Sequence, residues 1–304
     1  MSTFDLRGLG VAMVTPFTAQ SDIDYKMLAT HIGYLIDSGT DYIVALGTTA
    51  ETPTLSPEEY KEVAHAVVDN VKGRVPVVLG LGGNNTAAVV NQIISMKGFL
   101  GNFAAILSIT PYYNKPCQEG LYRHFAAIAN ASPVPVILYN VPGRTGVNMT
   151  AETTLRLAAD FPGKIIAIKE ASGNLDQVER IIRNAPDGFY VISGDDALTV
   201  DMIRLGAAGV ISVVGNALPG LFSHLVHSAL NNDNRTADAI NRSLARLYPL
   251  LFRDGNPSGI KALLAMLPAT AHNDVLRLPL VRVSPSTRDE IAEAVRELGV
   301  KLNH

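Results

Sequence analysis

Cysteine is nearly missing from this 304-residue chain: Cys117 stands alone, which excludes an internal disulfide framework and fits a reducing compartment. Basic clusters are missing too, and 25 Lys and Arg against 28 Asp and Glu leave a net charge of −3. That balance gives no electrostatic footprint for nucleic acid or for a membrane surface. No apolar run approaches the roughly 18 residues that a bilayer span requires. The opening MSTFDLRG carries an acidic residue and no apolar signal-peptide core. The expectation is a soluble cytoplasmic protein whose partners are small neutral or anionic metabolites.

What the chain has is apolar content, 47%, enough for a large core, and a length at which single α/β barrels are common. Short runs rich in Val and Ile recur over residues 9–17, 42–49, 75–83, 104–113, 134–142, 165–172, 189–196 and 209–216. They are apolar almost throughout, as parallel strands covered on both faces are. Between them lie helical patterns. The first, residues 24–38, puts Leu28, Ile32, Leu35 and Ile36 on one stripe and stops at Gly39. In the second, Ser56-Pro57-Glu58-Glu59 supplies an N-cap, a proline at the first helical position and a capping-box glutamate, with Gly73 after the end. Further helices are predicted over 86–97, 119–131, 151–161, 176–184, 197–205 and 219–230. Eight strand-then-helix units predict an α/β fold, a closed (β/α)8 TIM barrel over residues 1–232. After it no strand signal remains: 235–252, 258–266 and 286–298 read as helices, so a C-terminal all-helical extension is expected over 233–304, with Asn231-Asn232-Asp233-Asn234 as the seam.

A barrel of this kind keeps its chemistry at the C-terminal ends of its strands. There the chain offers Gly47-Thr48-Thr49-Ala50-Glu51, Pro111-Tyr112-Tyr113, Tyr139-Asn140 running on to Arg144-Thr145-Gly146, and Lys169-Glu170. Lys169 closes the apolar run Ile165–Ile168, and an amine delivered by a buried strand is a candidate Schiff-base nucleophile toward carbonyls. Alternation predicts that Ile165, Ala167 and Lys169 share one face and that Tyr139 shares a face with Ile137, so a phenol can stand beside the amine and pass protons, with Thr48 as a hydroxyl relay.

Each element has a plainer reading. Lys169 can reach from a strand end into water, Thr48-Thr49 can cap a helix, and Tyr112-Tyr113 can be packing aromatics. Asp195-Asp196 could suggest Mg²⁺, but Asp196 reads better as the N-cap of the helix over 197–205. His224 and His227 share a helix but have no third ligand at hand, so no metal is expected. Gly80–Gly83 lacks the order of a phosphate loop, and Cys117 has no paired histidine.

Taken together GTTAE, TPYYNKP, YNVPGRTG, IKEASGN, SGDDALT and GVISV, in this order and spacing, resemble the dihydrodipicolinate synthases, which belong to the pyruvate-dependent class I aldolase superfamily that also holds N-acetylneuraminate lyase. The resemblance runs through essentially the whole chain. It implies condensation of pyruvate with aspartate semialdehyde without a cofactor, at the start of the diaminopimelate and lysine branch. Lys169 would form the imine, Tyr139 would be the acid/base group, and Thr48 and Tyr113 would complete a proton relay. Thr48 and Thr49 would hold the pyruvate carboxylate, Gly194 and Ile211 would line its pocket, and Arg144 would bind the carboxylate of the second substrate. The family is usually a homotetramer of tight dimers, with Tyr113 crossing into the neighbour's site. Arginine at position 144 separates these synthases from sister lyases acting on sugar acids, which remain the alternative enzyme reading. A barrel kept as a non-catalytic scaffold is the other alternative.

Two departures stand out. Ala50 replaces the usual glycine of GTTGE, where a positive φ would cost about 1 kcal/mol. In members inhibited by lysine the allosteric pocket uses residues of which Asn84 and Tyr112 match here, while Thr52-Pro53, Pro57, Tyr60 and Ala88 differ, and Ala88 removes the carboxylate. Weak or absent lysine inhibition is expected.

Overall fold

In the computed structural model, residues 5–270 and 272–303 are described. Residues 1–4, where the reading of the N-terminal segment begins, lie outside the described residues, as do 271 and 304. Eight strands follow one another around a closed barrel: β1 (Gly8–Ala12), β2 (Tyr42–Ala45), β3 (Val77–Gly80), β4 (Ala105–Ile109), β5 (Val136–Asn140), β6 (Ile165–Glu170), β7 (Tyr190–Ser193) and β8 (Gly209–Ser212). They are shorter than the apolar runs that mark them, because each run continues into the loop after its strand. Burial agrees with the pattern: β1, β2, β3, β5 and β8 are buried at every position. Both faces of such strands are covered, which is why polar and apolar residues do not alternate.

Contacts divide the chain into two compact units, Met1–Gly8 with Pro76–Ile211, and Leu9–Val75 with Ser212–His304. In the first, β3 to β8 pair in parallel, and the β5/β6 register brings Tyr139 opposite Lys169 and Asn140 opposite Glu170. That register steps by one residue, from Val136↔Ile165 to Ile137↔Ala167. The extra residue is Ile166, so the predicted alternation holds from Ala167 onward.

In the second unit β1 pairs with β2. Asn216, buried, donates to the Ala12 carbonyl at 2.9 Å and accepts from the Val14 N–H at 3.1 Å, tying the chain after β8 to the end of β1. The helix Pro57–Val71 starts on the predicted capping box, with Ser56 and Glu59 satisfying each other's backbone N–H groups. Three helices of the C-terminal extension, Leu247–Arg253, Ser258–Met266 and Pro285–Glu297, pack on one another.

Several details differ from the sequence reading. Residues 235–252 form two helices, Asn234–Leu244 and Leu247–Arg253, rather than one. In Tyr25–Asp37 it is His31, bonded through Nε2 to Asn216 Oδ1 at 3.2 Å, that joins Leu28, Ile32 and Leu35 in the core, while Ile36 is half-buried. Asp196 does not cap a helix: the helix is Thr199–Leu205, with Leu198 at the cap position, and Asp195 Oδ1 accepts from the Ala197 N–H at 2.9 Å. Among the described residues, no helix is long and apolar enough to cross a membrane.

Candidate active site

Lys169 and Tyr139 occupy the penultimate positions of adjacent strands and are both buried, at 5% and 7% exposure. The Lys169 ammonium stands 4.4 Å from the centroid of the Tyr139 ring, so amine and phenol share one face of the sheet as alternation requires. Gly194, just after β7, makes room for the lysine stem. A Cβ there would lie 3.1 Å from Lys169 Cε, 3.1 Å from the Glu170 carbonyl oxygen and 2.6 Å from Ala171 Cβ. Its N–H donates to the Glu170 carbonyl at 2.8 Å, which fixes the close approach. Ile211 is buried in β8, one position beyond the pairing of Ser193 with Val210.

The opposite face of the same two strand ends holds a buried carboxylate that the sequence reading quoted but gave no role. Glu170 accepts from the Ser172 N–H at 2.8 Å, from Asn140 Nδ2 at 3.1 Å and from Gln177 Nε2 at 2.9 Å. Asn140 in turn accepts from the Met149 N–H at 3.0 Å. Hydrogen bonds to a charged acceptor contribute about 1.5–3 kcal/mol each, so this cluster ties β5 to β6 directly behind Tyr139 and Lys169.

After β5 the chain turns into the short helix Pro142–Thr145. Thr145 faces inward, accepting from Thr110 Oγ1 at 3.3 Å, and Arg144 beside it is exposed. The Tyr113 N–H donates to the Thr145 carbonyl at 3.4 Å. Tyr113 is the most exposed large apolar side chain among those described, at 88%, on a backbone with φ of 76°. Within the single chain its ring is therefore open to solvent. The neighbouring Tyr112 carbonyl accepts from Asn84 Nδ2 at 3.2 Å.

Thr48 and Thr49 belong to the second unit, in a single 3-10 turn, Thr48–Ala50, that follows β2. Ala50 keeps a negative φ. The positive φ falls instead on Glu51, at 56°, so an alanine is accommodated where strain was anticipated, and the left-handed residue is the one after it. Thr49 is buried, and its Oγ1 accepts from Asn256 Nδ2 at 3.0 Å. Asn256 went unnoticed in the sequence because more than 200 residues separate it from Thr49 and no local pattern links them. The histidine pair on the helix Pro219–Leu230 does not act together: His227 Nε2 lies 3.0 Å from Asp41 Oδ2. Among the described residues no group of three or more His, Cys, Asp or Glu side chains is arranged to hold a metal ion.

Such an arrangement suits covalent chemistry on a small carbonyl compound: a buried amine with a phenol beside it, its stem packed against a glycine that no larger residue could replace. Comparison with known proteins agrees. The model of the Dihydrodipicolinate synthetase family matches residues 5–298. A 4-hydroxy-tetrahydrodipicolinate synthase of Parabacteroides distasonis is 52% identical over 301 residues, covering 99% of this chain and 100% of the relative. The crystal structure of dihydrodipicolinate synthase from Aquifex aeolicus has a TM-score of 0.93 at 37% identity and covers 98% of this chain and 100% of its own. The chloride-inhibited dihydrodipicolinate synthase from Acinetobacter baumannii, solved in complex with pyruvate, has a TM-score of 0.91 at 38% identity, with 97% and 99% covered.

Proposed function

The chain belongs to the dihydrodipicolinate synthetase family, and from that premise we propose that it condenses pyruvate with L-aspartate 4-semialdehyde to 4-hydroxy-tetrahydrodipicolinate, the first step of the diaminopimelate and lysine branch. The observation that carries the reading is the buried Lys169 amine beside the Tyr139 phenol, with Gly194 packed close against the lysine stem. Lys169 attacks the keto carbon of pyruvate, and the carbinolamine loses water to give the imine. The imine withdraws electrons from the methyl group, which gives up a proton and becomes an enamine. That carbon attacks the aldehyde, and the amino group of the second substrate then displaces Lys169 as the ring closes. Tyr139 is assigned the proton transfers at these steps, with Thr48 and Tyr113 as its relay. Thr48 and Thr49 are assigned the pyruvate carboxylate, Gly194 and Ile211 the pocket around it, and Arg144 the carboxylate of the semialdehyde.

Borohydride reduction in the presence of pyruvate tests this: a pyruvate-derived mass is expected on Lys169 alone, and an adduct on Lys115 or Lys164 would overturn the assignment. Arg144→Ala is expected to raise the KM for aspartate semialdehyde about ten- to a hundredfold and to lower turnover, since one charge-assisted contact contributes about 1.5–3 kcal/mol, while trapping with pyruvate persists. Faster cleavage of sugar acids by the unaltered protein would favour a sister lyase instead.

The proposal extends to a homotetramer of tight dimers acting in the cytoplasm. The exposed, conformationally strained Tyr113 supports a shared site, because a tyrosine that acts in catalysis cannot do so from solvent. Mixing inactive Tyr113→Phe with inactive Lys169→Ala chains is expected to restore part of the activity, and no recovery after subunit exchange would count against sharing. Feedback by L-lysine is expected to be weak: with Ala88 in place of a carboxylate, burying an ammonium costs several kcal/mol. Half-inhibition below about 1 mM, equivalent to about −4 kcal/mol, would contradict this.

A further inference from the structure

Glu51 and Lys261 form an ion pair whose side chains are 0% and 1% exposed. Such a pair is poorly explained by stability, because desolvating two charges offsets most of their attraction and an apolar pair of equal volume often does as well. Its surroundings point to another purpose. Glu51 is the left-handed hinge between the turns Thr48–Ala50 and Thr52–Thr54, a conformation unfavourable for a residue with a Cβ unless something holds it. What holds it comes from the C-terminal extension. Lys261 pairs with one carboxylate oxygen, and the Arg277 N–H donates to the other at 3.0 Å. Lys261 Nζ also donates to the Val275 carbonyl at 3.0 Å and stands 4.2 Å from the centre of the Phe17 ring. Burial pushes its pKa down to about 8 against the pull of Glu51. The Arg277 side chain closes the far side of the loop, donating to the Thr54 carbonyl at 3.1 Å and to both oxygens of Glu59.

We propose that Glu51 and Lys261 are positioning residues that lock the 47–51 loop in the geometry that holds the pyruvate carboxylate. The inference rests on the assignment of Thr48 and Thr49 to that carboxylate. Both side chains are buried, and neither is assigned a contact with substrate. Removing the pair frees the hinge, the threonine hydroxyls and N–H groups lose their alignment, and a displacement of about 1 Å there is enough to weaken binding by an order of magnitude or more.

The test compares Glu51→Gln, Lys261→Met and the double variant. Each single change leaves one buried charge unpaired and is expected to lower the melting temperature and raise the KM for pyruvate about tenfold, with the KM for aspartate semialdehyde unchanged. The double variant buries no charge, so its melting temperature is expected to recover while the pyruvate KM, and the pyruvate concentration needed for half-maximal borohydride trapping, stay raised. A pyruvate KM that returns to normal as stability returns would reduce the pair to a structural role and overturn the proposal. Should Lys261→Met not fold, Glu51→Gln and the double variant carry the same comparison. Thr49→Val serves as the control: an unchanged pyruvate KM there would locate the failure in the carboxylate assignment and not in the clamp.

Discussion

Lys169→Ala is expected to lower turnover by about 10⁴-fold or more and to abolish borohydride trapping by pyruvate, with the fold retained. The first effect follows from the chemistry. Without the amine there is no imine, hence no electron sink, and the remaining groups have nothing covalent on which to act. The second follows from position. Lys169 is the penultimate residue of β6, and its strand is held by ladders to β5 and β7 and by the Glu170 cluster on the other face. Truncation removes one side chain beside Tyr139 and no hydrogen bond of that cluster. The melting temperature should move by no more than about 3 °C, as for a change near 1 kcal/mol in a chain of this size. Activity that survives the substitution would end the Schiff-base reading, and a variant that does not fold would show that the lysine anchors the barrel.

Gly209→Ala is expected to have the largest effect on stability. Gly209 opens β8 with φ of 152°, a conformation that residues with a Cβ rarely adopt, and an added Cβ would lie 2.0 Å from the Gly8 carbonyl oxygen and 2.8 Å from the Gly8 nitrogen. Both contacts are to backbone, so no side chain can swing aside. The Gly8 N–H meanwhile donates to the Ala208 carbonyl at 3.0 Å, so the strand cannot withdraw without breaking that bond. Overpacking and backbone strain together come to about 3 kcal/mol or more, and the melting temperature should fall by about 10 °C, or the chain should fail to accumulate in folded form. Gly98→Ala is the matched control, with nothing within 4 Å of the added carbon and no positive φ. Equal melting of the two variants would refute the steric argument.

How much was legible in the sequence differs between kinds of feature. The barrel was legible because its signals are local and repeated: an apolar run, a loop and a helical pattern, eight times over, with boundaries blurred where apolar residues such as Val134 and Val141 flank the strand. Lys169 and Tyr139 were legible because strand alternation fixes which face a residue takes once its strand is known. Three things were not. The cap at Asp196 was misjudged because an Asx turn at Asp195 imitates a cap four residues before the helix begins. The strain expected at Ala50 sits on Glu51, since a 3-10 turn accepts alanine and leaves its exit residue left-handed. The support around Thr49 and Glu51 is held by Asn256, Lys261 and Arg277, and pairings across more than 200 residues leave no periodic trace. The lysine in the otherwise apolar segment Ser258–Met266 was the one available hint.

That long separation also bears on the order in which the chain can be completed. Apart from its first eight residues, the unit Pro76–Ile211 is a single stretch of sequence, and its strand pairs join neighbours made within a few tens of residues of one another. The other unit is split between the two ends of the chain. Its N-terminal part is synthesised first, yet the bonds that close the Thr48–Glu51 turn span 207 and 226 residues. Contacts between distant segments are slow to form, and these two must wait until Asn256 and Arg277, respectively, have left the ribosome. The middle of the chain is therefore free to fold ahead of its beginning, and the turn assigned to the pyruvate carboxylate is among the last parts of the protein to take shape.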